Sequence, residues 1–109
     1  MTDTFKVLGQ VTPGAGTLTT LYTVPAVTSS TLSTLLAANR SSLPTNFRVS
    51  VAVAGAADEA KQYLYYDVPL AANDTFAATL GVTLATTDLV RVRSSNGQVS
   101  FNLFGVEVT

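Results

Sequence analysis

Histidine, cysteine and tryptophan are all missing from the 109 residues of this chain. Without cysteine there are no disulfides and no thiolate chemistry, and no redox compartment is specified. Without histidine there is no Ser-His-Asp or Cys-His relay, no imidazole-ligated zinc and no side chain that ordinarily titrates near neutral pH. Charge is scarce as well. Only 12% of residues are charged and the net charge is -1, against a usual charged share of about 25%. A chain so nearly neutral has no basic field to attract nucleic acid or anionic lipid. No apolar run approaches the ~18 residues that a membrane-spanning helix needs. The opening MTDTFKVLGQV has neither the basic segment nor the apolar core of a secretory signal. Synthesis in the cytosol, with no nucleic-acid or membrane partner, is the expectation.

What the chain does have is alternation. FRVSVAV places Phe47, Val49, Val51 and Val53 on one side of a strand and Arg48, Ser50 and Ala52 on the other. TFAATLGVTL aligns Phe76, Ala78, Leu80, Val82 and Leu84, and VSFNL aligns Val99, Phe101 and Leu103. Val90 and Val92 oppose Arg91 and Arg93, a pair suited to an acidic partner or to a solvated face. Turn residues separate these runs at Pro13-Gly14-Ala15-Gly16, Pro25, Ser41–Pro44, Gly55–Asp58, Pro69, Asn73-Asp74 and Asn96-Gly97. Asn96-Gly97 reads as a hairpin, because both residues tolerate positive φ. Eight strands are expected near 4–11, 17–24, 29–38, 45–54, 60–68, 74–84, 88–94 and 98–108. They imply an all-β fold, a single antiparallel β-sandwich domain over residues 1–109, of jelly-roll or immunoglobulin-like topology.

Three stretches are less regular. In TLSTLLAAN, Leu32, Leu35 and Leu36 have helix-compatible spacing, whereas the flanking VTSST and NRSSLP favour strand and turn. In the last strand the apolar residues change phase, from Val99, Phe101 and Leu103 to Phe104, Val106 and Val108. A bulge near Phe104-Gly105 would bring both sets to one face. In KQYLYYDVPL, strand geometry puts Tyr63 and Tyr65 on one side and Leu64, Tyr66 and Val68 on the other. These tyrosines, with Tyr22 and the phenylalanines, read as core and interface packing. The expected core comprises Phe47, Val49, Val51, Val53, Phe76, Leu80, Val82, Val90, Val92, Phe101 and Leu103.

Chemistry-bearing patterns are few. The carboxylates Asp3, Asp58, Glu59, Asp67, Asp74, Asp88 and Glu107 are scattered, and Asp58-Glu59 lacks the spacing of a calcium loop. Lys6 and Lys61 have no serine three residues before them, and no glycine-rich phosphate loop is present. Asn39-Arg40-Ser41 and Asn73-Asp74-Thr75 match the glycosylation sequon, a short pattern with frequent chance matches. No catalytic residue, metal site or cofactor is assigned. From Val7 through Asn39 there is no charged residue at all. Edge strands are ordinarily guarded by charge, and interface centres are depleted of it. Thr17, Thr19, Leu21, Thr23, Thr31 and Ser33 are therefore the candidate interface residues, with Thr19 and Tyr22 expected on opposite faces.

The order of phrases FKVLGQV, TTLYTVPA, LAANRSS, FRVSVAVAG, KQYLYYDVPLAANDTF and VSFNLFGVEV resembles small accessory proteins of tailed-bacteriophage virions. The resemblance implies a non-enzymatic β-sandwich subunit, a decoration, neck-collar or tail protein, that homo-oligomerises and contacts other virion proteins on the particle. The alternative is a carbohydrate- or receptor-binding module of a phage adhesion apparatus, with Tyr63, Tyr65 and loop carboxylates forming its site.

Overall fold

A computed structural model describes residues 2–109. The strands are β1 Asp3–Val11, β2 Thr19–Thr23, β3 Ser29–Asn39, β4 Thr45–Ala52, β5 Tyr63–Leu70, β6 Thr75–Leu84, β7 Leu89–Ser94 and β8 Val99–Val108. Each answers to one of the eight ranges read from the sequence. Two four-stranded antiparallel sheets result, ordered β1-β8-β3-β6 and β2-β7-β4-β5, referred to below as sheets A and B. Only β4 and β5 are neighbours both in sequence and in a sheet; every other connection crosses from one sheet to the other. This order is the jelly roll, which closes two Greek keys over one core, and the immunoglobulin-like alternative falls away.

Topology overturns the hairpin expected at Asn96-Gly97, since β7 belongs to sheet B and β8 to sheet A. Gly97 does have positive φ, 69°. Ser94 Oγ accepts the Gly97 N–H at 3.2 Å, and Asn96 Oδ1 accepts that of Gln98 at 2.9 Å. The turn chemistry is spent on a four-residue corner that swings the chain between sheets.

The core lies between the sheets. Phe47, Val49, Val90, Val92, Phe101 and Leu103 are buried as expected, while Val51, Phe76, Leu80 and Val82 pack half-buried at its margin. Phe47 sits at its centre, with ring centroids 5.1 Å from Phe76 and 6.0 Å from Phe101. Val53 is the exception, 69% exposed. The strand ends at Ala52, and Ala54 takes a positive φ of 53° inside a 3₁₀ turn over Val53–Gly55, so the side-chain alternation stops one residue too soon.

Bulges account for the irregular stretches. In β3, Leu32 pairs with Gly105 and Thr34 with Phe104, leaving Ser33 as an extra residue. Burial therefore changes phase at Ser33, and Leu32 and Leu35 both point inward. Their three-residue spacing mimics a helix but marks a bulged strand. In β1, Val7 pairs with Phe104 and Gly9 with Leu103, which makes Leu8 the extra residue. β8, by contrast, alternates without interruption through Gly105. The bulge expected at Phe104-Gly105 is carried by the strands on either side of it. Phe104, Val106 and Val108 consequently stay on the outer face, and neither Phe5 nor Phe104 joins the core.

Glycine is required where the strands crowd. A Cβ on Gly105 would collide with the Thr31 carbonyl oxygen and one on Gly9 with the Leu21 carbonyl oxygen, so β8 meets β3, and β1 meets β2 across the core, at backbone distance.

A polar clamp ties the sheets together at one end. The buried Tyr22 hydroxyl donates to Glu107 Oε2 at 2.6 Å and lies 2.6 Å from Ser30 Oγ, while Lys6 Nζ reaches Glu107 Oε1 at 3.2 Å. Burial, followed by the bond to Glu107, raises the Tyr22 pKa from 10.0 to about 12. The Tyr22 bond holds the Glu107 carboxyl below its ordinary value, with Lys6 assisting.

Two measurements check this account. Phe101→Ala should lower the unfolding free energy by about 3–5 kcal/mol in urea titrations, whereas Val53→Ala should change it by less than about 0.5 kcal/mol. The clamp should give stability two pH limits. Glu107 binds its proton more weakly when folded, so its contribution holds above the ordinary carboxylate range and disappears as acid protonates it. Tyr22 binds its proton more tightly when folded, so its contribution is complete below pH 10.0 and is lost on approach to about 12. Melting temperature followed across pH should fall at both limits, and Tyr22→Phe should flatten both.

Candidate functional site

The outer faces of the two sheets differ in chemistry. On sheet A the even-numbered residues of β8, from Ser100 to Val108, point outward, because the odd-numbered ones fill the core. Cross-strand partners share a face. Phe5 and Thr31 therefore flank Val106, Val7 and Thr34 flank Phe104, and Gln10 and Leu36 flank Asn102. Gln10 Nε2 donates to Asn102 Oδ1 at 2.7 Å, which fixes the parity independently. β6 adds Thr75, Ala77, Thr79 and Thr83 to this face. Among the described residues its only charged side chain is Asp3, at the end of β1. Lys6 lies on the inner side, held by Glu107. Phe5 is 80% exposed and Val7 46% exposed, so an apolar stripe runs across β1 and β8.

The six candidate interface residues do not form one surface. Thr31 and Ser33 are exposed on the outer side of β3, with Ser33 Oγ donating to the Phe104 carbonyl at 3.1 Å. β3 is a central strand, so it offers a face and not an edge. Thr17 and Thr23 are exposed at either end of β2, which is an edge strand. Thr19 is half-buried opposite Val92, and Leu21 is in the core at 7% exposure. The reason is a bulge: Thr20 pairs with Arg91 and Tyr22 with Val90, which turns Leu21 inward and puts Thr19 and Tyr22 on the same side. Phe5, expected in the core with the other phenylalanines, is exposed, and so is Val7. The signal for their exposure, β1 at a sheet edge, is topological and not local.

Sheet B presents charge and aromatic rings. Arg48 and Arg93 are direct cross-strand partners on its outer side, as are Ser50 and Arg91. Arg48 meets Asp67 through two hydrogen bonds, Nε to Oδ1 at 2.6 Å and Nη2 to Oδ2 at 3.2 Å, and lies 4.0 Å over the Tyr66 ring. Arg48 holds the Asp67 carboxyl below its usual range. Asp67 has a positive φ of 52° at a bulge in β5. A second bulge pairs Ser50 with Tyr63 but Val49 with Tyr65, so these two tyrosines take opposite faces. Tyr65 packs inward on Phe47 and Phe76. Tyr63 and Tyr66 meet edge to face outside, 5.1 Å apart, and Val68 turns inward opposite Phe47. A sugar platform shared by Tyr63 and Tyr65 is excluded by this geometry. The edge strand β5 also absorbs Pro69, expected as a turn.

The remaining polar residues serve the frame. Asp58 accepts from Tyr63, Asp74 caps its own turn at Thr75, and Asp88 accepts the backbone N–H groups of Ala54 and Ala85. Val51, Val53, Ala56, Glu59, Lys61 and Gln62 line a cleft of about 280 Å³, whose two charges pair at 3.6 Å. Asn39 of the first sequon is buried, donating to the Leu43 and Ala71 carbonyls at 2.9 and 3.1 Å, and is closed to glycosylation in the folded state.

A jelly roll with one charged face and one nearly uncharged face belongs to an architecture shared by viral capsid domains, lectins and cupins. No protein-family model matches the chain, and no curated protein matches it. Solved structures do match. A chain in the structure of infectious bursal disease virus, Gx strain, superimposes with a TM-score of 0.56 at 15% identity, over 97% of this chain and 32% of that one. A chain from the Gt strain gives 0.50 at 9% identity, over 96% and 31%. This chain thus spans about a third of the length of those neighbours. At such identities the likeness is one of fold.

The placement of the candidates has a direct check. Thr31→Lys and Thr23→Lys, on exposed sites, should change unfolding free energy by less than about 0.5 kcal/mol. Leu21→Lys should lower it by more than about 3 kcal/mol, because it drives a charge into the core.

Proposed function

We propose that this chain is a non-enzymatic structural subunit of a tailed-bacteriophage virion, fixed to the particle through contacts with its own copies and with other virion proteins. One observation carries the reading: the outer face of sheet A is four strands wide, almost uncharged and crossed by an exposed apolar stripe. Exposed apolar area of that extent ordinarily marks an interaction surface. The jelly-roll likeness to chains of a virus structure supports it, as does the resemblance of the sequence phrases to phage accessory proteins. A decoration, collar or tail position would each use such a face. Attachment would occur on the particle after synthesis in the host cytoplasm, and the reading requires neither cofactor nor catalysis.

Cryo-electron microscopy of the intact phage tests it, with the chain identified by its density and by labelling. The expected result is density for several symmetry-related copies with the sheet A face against a neighbour. Thr31→Lys and Ser33→Lys should reduce the number of copies per particle while leaving the melting temperature unchanged. Particles that contain no copies would overturn the proposal. Glycan binding by the free subunit, lost when Tyr63 and Tyr66 are replaced, would favour the receptor-binding alternative instead.

A further inference from the structure

We infer that the outer face of sheet A is a homodimer contact, its occupant the same face of a second copy related by a two-fold axis. The inference concerns the free protein in solution; it names the first partner of the face used above and survives or fails separately from the virion assignment. Three features lead to it.

The first is charge. In a two-fold contact a surface meets itself, so every charge near the axis faces its own sign. The outer face of sheet B, with Arg48, Arg91 and Arg93 on adjacent strands, would oppose guanidinium to guanidinium. The sheet A face avoids this. Asp3 lies at the extreme end of β1, an edge strand, so an axis running along the strands between β8 and β3 sets the two Asp3 carboxylates at opposite rims. Lys6, the other charge of β1, is turned inward to Glu107.

The second is shape and area. Four strands spaced by about 4.8 Å, of nine to eleven residues each rising about 3.3 Å, give a face of roughly 600 Å² in projection. Two such faces remove roughly 1,200 Å² from water, before counting the corrugation of the side chains, which reaches the size of a specific interface. Sheets pack face to face at about 10 Å when their side chains interdigitate. The outward side chains of β3 and β6 are small, mainly threonine and alanine, so they admit larger ones from an opposing copy.

The third is the position of the large side chains. Phe5, at 80% exposure, and Val7 stand beside Val106 and Phe104. A two-fold axis lays this stripe on β1 and β8 against the flat Thr31, Thr79 and Ala77 region of the partner's β3 and β6. Large residues then meet small ones in both directions at once.

Sedimentation velocity over a micromolar concentration series tests the inference on the whole chain. The parent protein should be a dimer that dissociates on dilution. Phe5→Glu and Val7→Glu alter exposed side chains and should keep the parent's circular dichroism and melting curve when measured as monomers. Each should weaken dimerisation at least about 100-fold, since each substitution acts twice and sets an unpaired carboxylate against the partner's threonines and alanines. Thr20→Glu, exposed on the opposite sheet, should leave the dimer intact. A parent chain that stays monomeric throughout the series overturns the inference, as does a dimer that persists in both Phe5→Glu and Val7→Glu. A monomer that nevertheless occupies the particle would remove the dimer and leave the virion reading standing. A dimer absent from particles would do the converse.

Discussion

β8 runs straight up the middle of sheet A, and the strands around it deform to fit. It keeps a two-residue alternation from Val99 to Gly105, while β1 and β3 each insert an extra residue, Leu8 and Ser33, where they pass Phe104. Gly105 makes the local approach possible, because any side chain there would strike the Thr31 carbonyl. Across the core, Gly9 does the same for the Leu21 carbonyl, and Leu21 is itself the bulged residue of β2. These five sites form a belt at one level of the sandwich. The belt sets which residues reach the core on either side of it. It also decides that Phe104 and Val106 belong to the outside.

That outcome gives the molecule two unlike surfaces. Sheet B holds its cations in defined contacts: Arg48 on Asp67 and Tyr66, and Arg91 donating to the Ala56 carbonyl at 2.8 Å. The paired arginines across β4 and β7 are tolerable because the Asp67 carboxylate lies between them electrically, lowered in pKa by both. Sheet A carries its apolar residues unpartnered. A sandwich that needed only to stay folded and soluble could wear threonine and lysine on both sides. The proposed assembly role rests on this asymmetry.

Much of this was legible in the sequence. All eight strands, the β7 alternation of valine and arginine, and most of the central core follow from a period of two. Several of the misreadings share one physical origin. A single extra residue inverts every side chain beyond it, so Tyr63 and Tyr65 part company, Thr19 and Tyr22 come together, and Leu21 leaves the surface. Local alternation cannot show such an insertion. The exception is β3, where Leu32 and Leu35 betray the bulge by a spacing that also suits a helix. The other misreadings are topological. Asn96-Gly97 has hairpin chemistry, but its strands lie in different sheets, and Phe5 has a core-like neighbourhood in sequence on a strand that ends at an edge.

The partnership of the first strand with the last carries a kinetic consequence. β8 separates β1 from β3, so sheet A has no continuous hydrogen-bonded ladder until the eighth strand arrives. Pairings between residues a hundred positions apart must bear a large loop-closure entropy before they return any stabilisation, which makes such topologies slow to form. The first seven strands can collapse but cannot complete the core, because Val99, Phe101 and Leu103 all lie on β8. The native state becomes available only once β8 has paired on both sides, and until then the inner surfaces stay open.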